Sequence, residues 1–280
     1  MKKFTLVLTT IALVLSSLSI SCSPLSAEEH FNKGITLFNE RQLDKAITEF
    51  TQAIELDPEL TMAYYYRGRT YWNKGQSDRA IADLDETIEL NSELAEAYLM
   101  RGAIYNEKGE LDQAIADYDK TIELNPGLTE AYNARAQIYK DKKQYDLAIA
   151  DYSEVVLLTP NNAMAYFRRS AAYSLQGSYN LALTDANKAI ELDPSLAEAY
   201  LVTGWAYYDK GQYDMAIVDF SKALELDASL AEAVYTGRFG VYQKQGKKAE
   251  AKAELEMFIN VSDDPQAIED AKKEIEKLSQ

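Results

Sequence analysis

The sequence predicts an all-α protein, an α-solenoid of stacked antiparallel helix pairs built from six copies of one unit, a degenerate seventh and a C-terminal capping helix. Three observations predict it. A small residue recurs at Gly34, Gly68, Gly102, Ala136, Ser170 and Gly204, always 34 positions after the last, and a fixed period of that length marks a repeat architecture. Ala46, Ala80, Ala114, Ala148, Ala182 and Ala216 keep the same step, as do Phe50, Leu84, Tyr118, Tyr152, Ala186 and Phe220. Within one unit, Tyr98, Arg101, Gly102 and Tyr105 fall on one face of a first helix, and Ala114, Tyr118 and Thr121 on one face of a second.

Residues 1–21 read as an export signal. Met1, Lys2 and Lys3 give a positive start, residues 4–15 are an uncharged apolar run, and residues 16–21 are small and polar, the three-part layout of a secretory leader. The apolar run is too short to favour a spanning helix; an uncleaved anchor of the same topology is the alternative. Residues 22–26 form a linker. The stretch Leu18, Ser19, Ile20, Ser21, Cys22 resembles a bacterial lipobox, with Ser21 and Cys22 in place and Ser19 where leucine is usual. That resemblance implies lipidation of Cys22 and stable membrane anchoring by several acyl chains, and Ser23 after the cysteine implies the outer membrane. Plain cleavage after Ser21 also satisfies the small-x-small rule. Cys22 is the one cysteine in the chain, so no intrachain disulfide or cysteine metal site can form, and an exported protein has little reason to keep an unpaired thiol beside its cleavage site.

Residues 27–262 hold the repeats, at 27–60, 61–94, 95–128, 129–162, 163–196 and 197–230, with the worn copy at 231–262. Gly75, Gly109, Gly177 and Gly211 are expected to end the first helices, and Lys74, Lys108 and Lys210 suit a helix C-terminus. Asp44, Asp78, Asp112, Asp146, Asn180 and Asp214 are expected as N-caps of the second helices. Pro58, Pro126, Pro160 and Pro194 stop those helices, because a residue before proline avoids helical dihedrals. The small residue is needed where the two helices cross, since a larger one would force them apart. Gly246 and Ala251 stand one residue out of step in the worn copy. In residues 263–280, Ile268, Ala271, Ile275 and Leu278 lie on one stripe, as a capping helix requires.

This frame resembles the tetratricopeptide repeat over residues 27–230, with Tyr64, Tyr98, Tyr132, Tyr166 and Tyr200 where the family often has tryptophan. The resemblance implies a superhelix whose inner wall is made by the first helices and whose groove binds a protein or peptide. One unit cannot stand alone, so stability is shared along the stack. The stripe facing the implied groove reads Phe31, Ile35 and Phe38; Tyr65, Arg69 and Trp72; Leu99, Ala103 and Asn106; Asn133, Gln137 and Lys140; Phe167, Ala171 and Ser174; Leu201, Trp205 and Tyr208. Its ends are aromatic, suited to anchoring a peptide, and its middle carries amides suited to bonding a peptide backbone. The alternative is that Phe31 and Trp205 pack against neighbouring copies. A family clamp for a terminal carboxylate is missing, since its places read Phe31, Ile35, Tyr66, Glu96 and Met100. The asparagine ladder of another subgroup is missing too, its slots reading Asn32, Tyr66, Met100, Ala134, Arg168 and Val202.

Composition narrows the function. The chain carries 29 Lys and Arg against 45 Asp and Glu, a net charge of −16, and no basic stripe that would receive nucleic acid. One histidine, His30, and one cysteine leave little material for a metal centre or an imidazole base, and His30 is expected in a structural role. Asp83 with Asp85 and Asp117 with Asp119 recur with the repeat, and are expected as solvated outer surface rather than an acid–base pair. The expectation is a non-enzymatic envelope scaffold with a protein or peptide partner, a membrane anchor, no cofactor and no small-molecule substrate. A self-associating structural protein is the alternative.

Overall fold

The computed structural model describes residues 24–279; the leader and the Cys22 assignment lie outside the described residues. Among the described residues fifteen α-helices run in order, α1 (Ala27–Asn39), α2 (Leu43–Leu56), α3 (Thr61–Asn73), α4 (Ser77–Leu90), α5 (Ala95–Glu107), α6 (Leu111–Leu124), α7 (Thr129–Asp141), α8 (Tyr145–Leu158), α9 (Ala163–Gln176), α10 (Tyr179–Leu192), α11 (Ala197–Asp209), α12 (Tyr213–Leu226), α13 (Ala231–Lys244), α14 (Lys248–Val261) and α15 (Pro265–Leu278). No strand occurs among the described residues, and none of these helices is long and apolar enough to cross a membrane. The all-α fold of adjacent helix pairs is thus as the period predicts. The chain divides into two compact units between Ile104 and Tyr105, inside α5.

In the N-terminal unit α1 pairs with α2, α3 pairs with α4, and α2 also packs on α3. In the C-terminal unit the pairs are α7 with α8, α9 with α10, α11 with α12 and α13 with α14, each second helix packing on the next first helix, and α15 lies against α14. The crossing points are as tight as the small residues demand. A Cβ on Gly34 would lie 2.5 Å from the Phe50 ring, and one on Gly204 would lie 2.7 Å from the Phe220 ring. Gly237 of α13 approaches the other end of Phe220, at 2.5 Å, so that ring is held between two glycines of successive hairpins. Where the first-helix residue is Ala136, the ring is Tyr152; where it is Ser170, the partner shrinks to Ala186, and all four are buried.

Gly75, Gly109, Gly177 and Gly211 take positive φ between 71° and 87° after their first helices, as does Gly246. Arg41 and Lys143 occupy the same turn in the first and fourth copies, each at φ 59°, a conformation that costs a residue with a Cβ about 1–2 kcal/mol.

The aspartate and asparagine series at 44, 78, 112, 146, 180 and 214 does not cap helices. The N-cap positions are Gln42, Gln76, Glu110, Gln144, Ser178 and Gln212, and none makes a side-chain cap bond. The series lies inside the first turn, and its oxygens instead accept bonds from the end of the next first helix. Lys142 donates to Asp112 at 2.9 Å, Gln176 to Asp146 at 2.5 Å and Lys210 to Asn180 at 2.7 Å, and Lys74 bonds Asp44 likewise. The residues that close turns with their side chains are the ones ending the second helices. Asp57, Asn91, Asn125, Asp193 and Asp227 each accept from the backbone N–H two residues on, at 2.8–3.1 Å.

Asp83 and Asp117 also depart from the expectation of solvated surface. Asp83, Asp117, Asp151 and Asp185 are 5–6% exposed, whereas Asp85 and Asp119 face solvent. Arg67 binds Asp83 through two bonds of 2.8 and 2.7 Å, Arg135 binds Asp151 at 2.9 and 2.6 Å, and Arg169 binds Asp185 at 2.6 and 2.9 Å. The remaining guanidinium nitrogen reaches the preceding hairpin: Thr51 from Arg67 at 3.2 Å, Ser153 from Arg169 at 3.2 Å, and Asp119 from Arg135. At the ends of the series Lys33 and His30 hold Glu49, and Arg238 holds Glu254. Such fork-to-carboxylate pairs are strong because both groups are charged and the geometry is fixed.

Gly204→Ala is expected to lower stability by up to about 2 kcal/mol despite alanine's better helix propensity, because overpacking a filled core costs about 1–3 kcal/mol and the propensity gain is about 1. Urea denaturation of the two proteins measures it; an unchanged midpoint would show that the Phe220 ring can yield.

Candidate functional site

The stripe of candidate residues is half-buried or exposed throughout; none is fully covered. In the N-terminal unit, Phe31, Ile35 and Phe38 come from α1, Tyr65, Arg69 and Trp72 from α3, and Leu99 from α5. The rings join through Tyr66. Its centroid lies 5.8 Å from Phe31, 6.3 Å from Phe38, 6.1 Å from the buried Phe50 and 5.4 Å from Tyr65, edge-on or tilted, as ring quadrupoles prefer. Tyr65 and Trp72 lean on the core of Ala80, Leu84, Ala97, Met100 and Ile104. Burial pushes the Tyr65 phenol up, with nearby Arg69 opposing the shift. Arg69 is exposed and lays its guanidinium over Phe38 at 5.1 Å.

Beside that contact lies a recess of about 400 Å³ lined by Phe38, Asn39, Arg41, Leu43, Arg69 and Asn73. Neither Arg41 nor Arg69 has a carboxylate within ion-pairing distance among the described residues, although acids exceed bases in the chain. Phe38 and Arg69 belong to the stripe that helical spacing predicts, whereas Arg41, Asn39 and Asn73 lie off it. A signal for Arg41 exists in the sequence: it stands where four other copies place glycine. His30 has the structural role expected of it. Its Nδ1 lies 2.6 Å from Glu49, which Lys33 also holds at 2.7 Å. Burial pushes the Glu49 carboxyl up, but the bonds from Lys33 and His30 outweigh it and leave the group below its ordinary range.

In the C-terminal unit, Asn106 stands exposed near the end of α5. The amides of α7 are committed to their own helix: Asn133 donates to the Thr129 carbonyl at 2.9 Å, and Gln137 donates to both oxygens of Asp141 at 2.9 and 3.1 Å. Each amide thus spends N–H capacity within its own helix, while the buried Asn133 Oδ1 has no hydrogen-bond partner among the described residues. Phe167 packs on the cluster of Ala189, Leu196 and Ala199. Leu201, Trp205 and Tyr208 of α11 pack on the cluster containing Phe220 and Val234. Trp205 stands edge-on to Tyr208 at 5.7 Å and to Phe220 at 5.3 Å. One edge of these rings is core and the other is surface.

Trp205→Ala should therefore cost about 3 kcal/mol, in the range for truncating a packed aromatic, whereas Arg69→Ala should cost less than about 1 kcal/mol, the value of an exposed cation–π contact. Thermal melts of both variants compare them directly; equal losses would contradict the packing described.

Family models for the tetratricopeptide repeat match residues 95–128 and 197–230, 63–94 and 163–196, and 117–150, and a TPR repeat model matches 34–75 and 136–177. Together these matches run without a gap from 34 to 230. No curated protein matches the chain by sequence. Among solved structures, the chain is similar to the C-terminal part of a TPR repeat-containing protein from Cytophaga hutchinsonii, with TM-score 0.71 and 18% identity over 85% of this chain and 98% of that one. It is similar to MamA, with TM-score 0.57 and 27% identity over 62% of this chain and 96% of the other. A third similar structure is YrrB, described as a TPR protein with an unusual peptide-binding site, at TM-score 0.54 and 25% identity over 68% of this chain and 97% of that one.

Proposed function

The chain belongs to the tetratricopeptide repeat family, and on that premise we propose that it is a non-enzymatic scaffold of the bacterial cell envelope that binds a segment of a partner protein along its first-helix stripe. The observation that carries this reading is the pairing of half-exposed rings with two uncompensated arginines around Phe38. Such a surface takes an apolar side chain on Phe38 and a carboxylate on Arg41 and Arg69, the combination of anchor and charge-assisted bond that gives binding hot spots. The partner segment therefore carries an acidic residue next to an apolar one. The likeness to YrrB supports peptide binding. In the C-terminal unit the surface edges of Trp205, Tyr208 and Phe167 serve as apolar anchors.

Peptides selected from a random displayed library on the full chain test the reading. We expect the selected sequences to be enriched in aspartate or glutamate beside an apolar residue. Arg69→Glu should weaken them by about tenfold or more, a loss matching one charge-assisted bond of about 1.5–3 kcal/mol, and Lys252→Glu should leave them unchanged. Binders indifferent to Arg69→Glu would remove the site from this face.

For the setting, we propose export by residues 1–21 and lipid attachment at Cys22. The charged start, apolar run and solitary cysteine support it. Mass spectrometry of the N-terminal peptide from membranes of a bacterial host should show a mature chain starting at Cys22 with acyl mass added; a chain starting there without that mass would refute the anchor.

A further inference from the structure

The series of half-buried arginines is interrupted at the sixth copy. Residues 34 positions beyond Arg169 and its surroundings can be read off directly: Arg169 becomes Thr203, Asp185 becomes Asp219, Ser153 becomes Asn187, and Tyr166 and Tyr173 become Tyr200 and Tyr207. In the fifth copy the Arg169 guanidinium bonds Asp185 twice, bonds Ser153 at 3.2 Å, and lies 5.9 and 6.0 Å from the Tyr166 and Tyr173 ring centroids. In the sixth copy the carboxylate and both tyrosines are kept, an amide replaces the hydroxyl, and the guanidinium is gone. Thr203 is too short to replace it, and its hydroxyl donates to the Tyr200 carbonyl at 2.9 Å.

What remains is a recess of about 340 Å³ open to solvent. Its polar groups are Asn187, Tyr200, Tyr207, Asp214 and Asp219, and its rim is apolar, with Met215 47% and Val218 66% exposed. Asp219 has no cation within ion-pairing distance among the described residues. Burial pushes its carboxyl up, and the Thr203 hydroxyl, whose one hydrogen is also drawn to the Tyr200 carbonyl, opposes this only in part. Burial also pushes up the Tyr207 phenol, with Asp219 adding to the shift. A half-buried carboxylate that shares a recess with two tyrosines is costly without a cation and favourable with one. None of the stripe residues lines this recess.

We propose that this recess is an arginine-binding site, in which the guanidinium of an arginine on a partner protein enters between Tyr200 and Tyr207 and pairs with Asp219. It takes the place that Arg67, Arg135 and Arg169 fill from within the chain. The template argues for arginine over lysine, because the receiving groups are arranged for a planar fork stacked beside rings, whereas an ammonium is a point charge that uses neither feature. Asp214 at the mouth adds a second negative charge for the approach, and Met215 and Val218 cover the arginine's methylene stem.

The test is a titration of the isotope-labelled full chain with a short capped glycine–serine peptide carrying one arginine, followed by amide NMR. Saturable shifts are expected around Thr203, Tyr207 and Asp219, with none from the citrulline peptide, which keeps the shape and loses the charge. The lysine peptide should bind less tightly. Asp219→Asn should weaken binding about tenfold or more. Thr203→Arg should fill the recess from inside, abolish the shifts and raise Tm by about 2–4 °C. Equal responses to arginine, lysine and citrulline, shifts centred elsewhere, or binding retained in Asp219→Asn would each overturn the proposal. Should Thr203→Arg fail to fold, Asp219→Asn decides, since it leaves the shape intact. Arg69→Glu should not affect this peptide, so the two sites fail or succeed separately.

Discussion

A half-buried guanidinium between two hairpins, holding a buried carboxylate on its own and an oxygen on the one before, is the constraint from which the stack takes its register. Arg67, Arg135 and Arg169 each span 16 residues forward to an aspartate and 16 back to a hydroxyl or carboxylate. A buried charge left without its partner costs several kcal/mol, so a hairpin that slips along its neighbour strands charges on both. The glycine-to-ring contacts act differently. They set how closely helices approach, whereas the arginines set which residues meet.

Much of this was legible beforehand because it is periodic. A 34-residue step in small residues, rings and glycine turns can come only from a repeated packing unit, and it places first and second helices without reference to coordinates. Other features were hidden for identifiable reasons. Asp83 and Asp85 lie two residues apart on one helix, and their recurrence reveals the repeat without telling which of them turns inward; the missing clue was Arg67, 16 positions earlier. The series beginning at Asp44 has the composition of caps, but a cap is decided by backbone dihedrals at a single residue, and the chain turns two residues sooner.

The candidate site shows the same division. Spacing identified the face on which Phe38, Arg69 and Trp205 lie, because helical geometry fixes faces. It could not foresee that Asn133 and Gln137 would each donate along their own helix, or that Trp205 would place one edge on Phe220. Both outcomes depend on rotamers and neighbours. Arg41 was hidden behind regularity: a turn expected to be glycine carries a charged side chain, and departures from a repeat inform as much as the repeat itself.

The vacancy at Thr203 shows how an array of this kind acquires individuality. Copies of one unit bring copies of one internal joint, each a finished cradle of acid and aromatic groups already paid for by folding. Exchanging a single long side chain for a short one opens such a cradle to the outside without any new loop, cofactor or change of backbone. In a repetitive protein, selectivity can thus arise by subtraction, and the spot where a pattern lapses is where the molecule becomes unlike its own neighbouring segments.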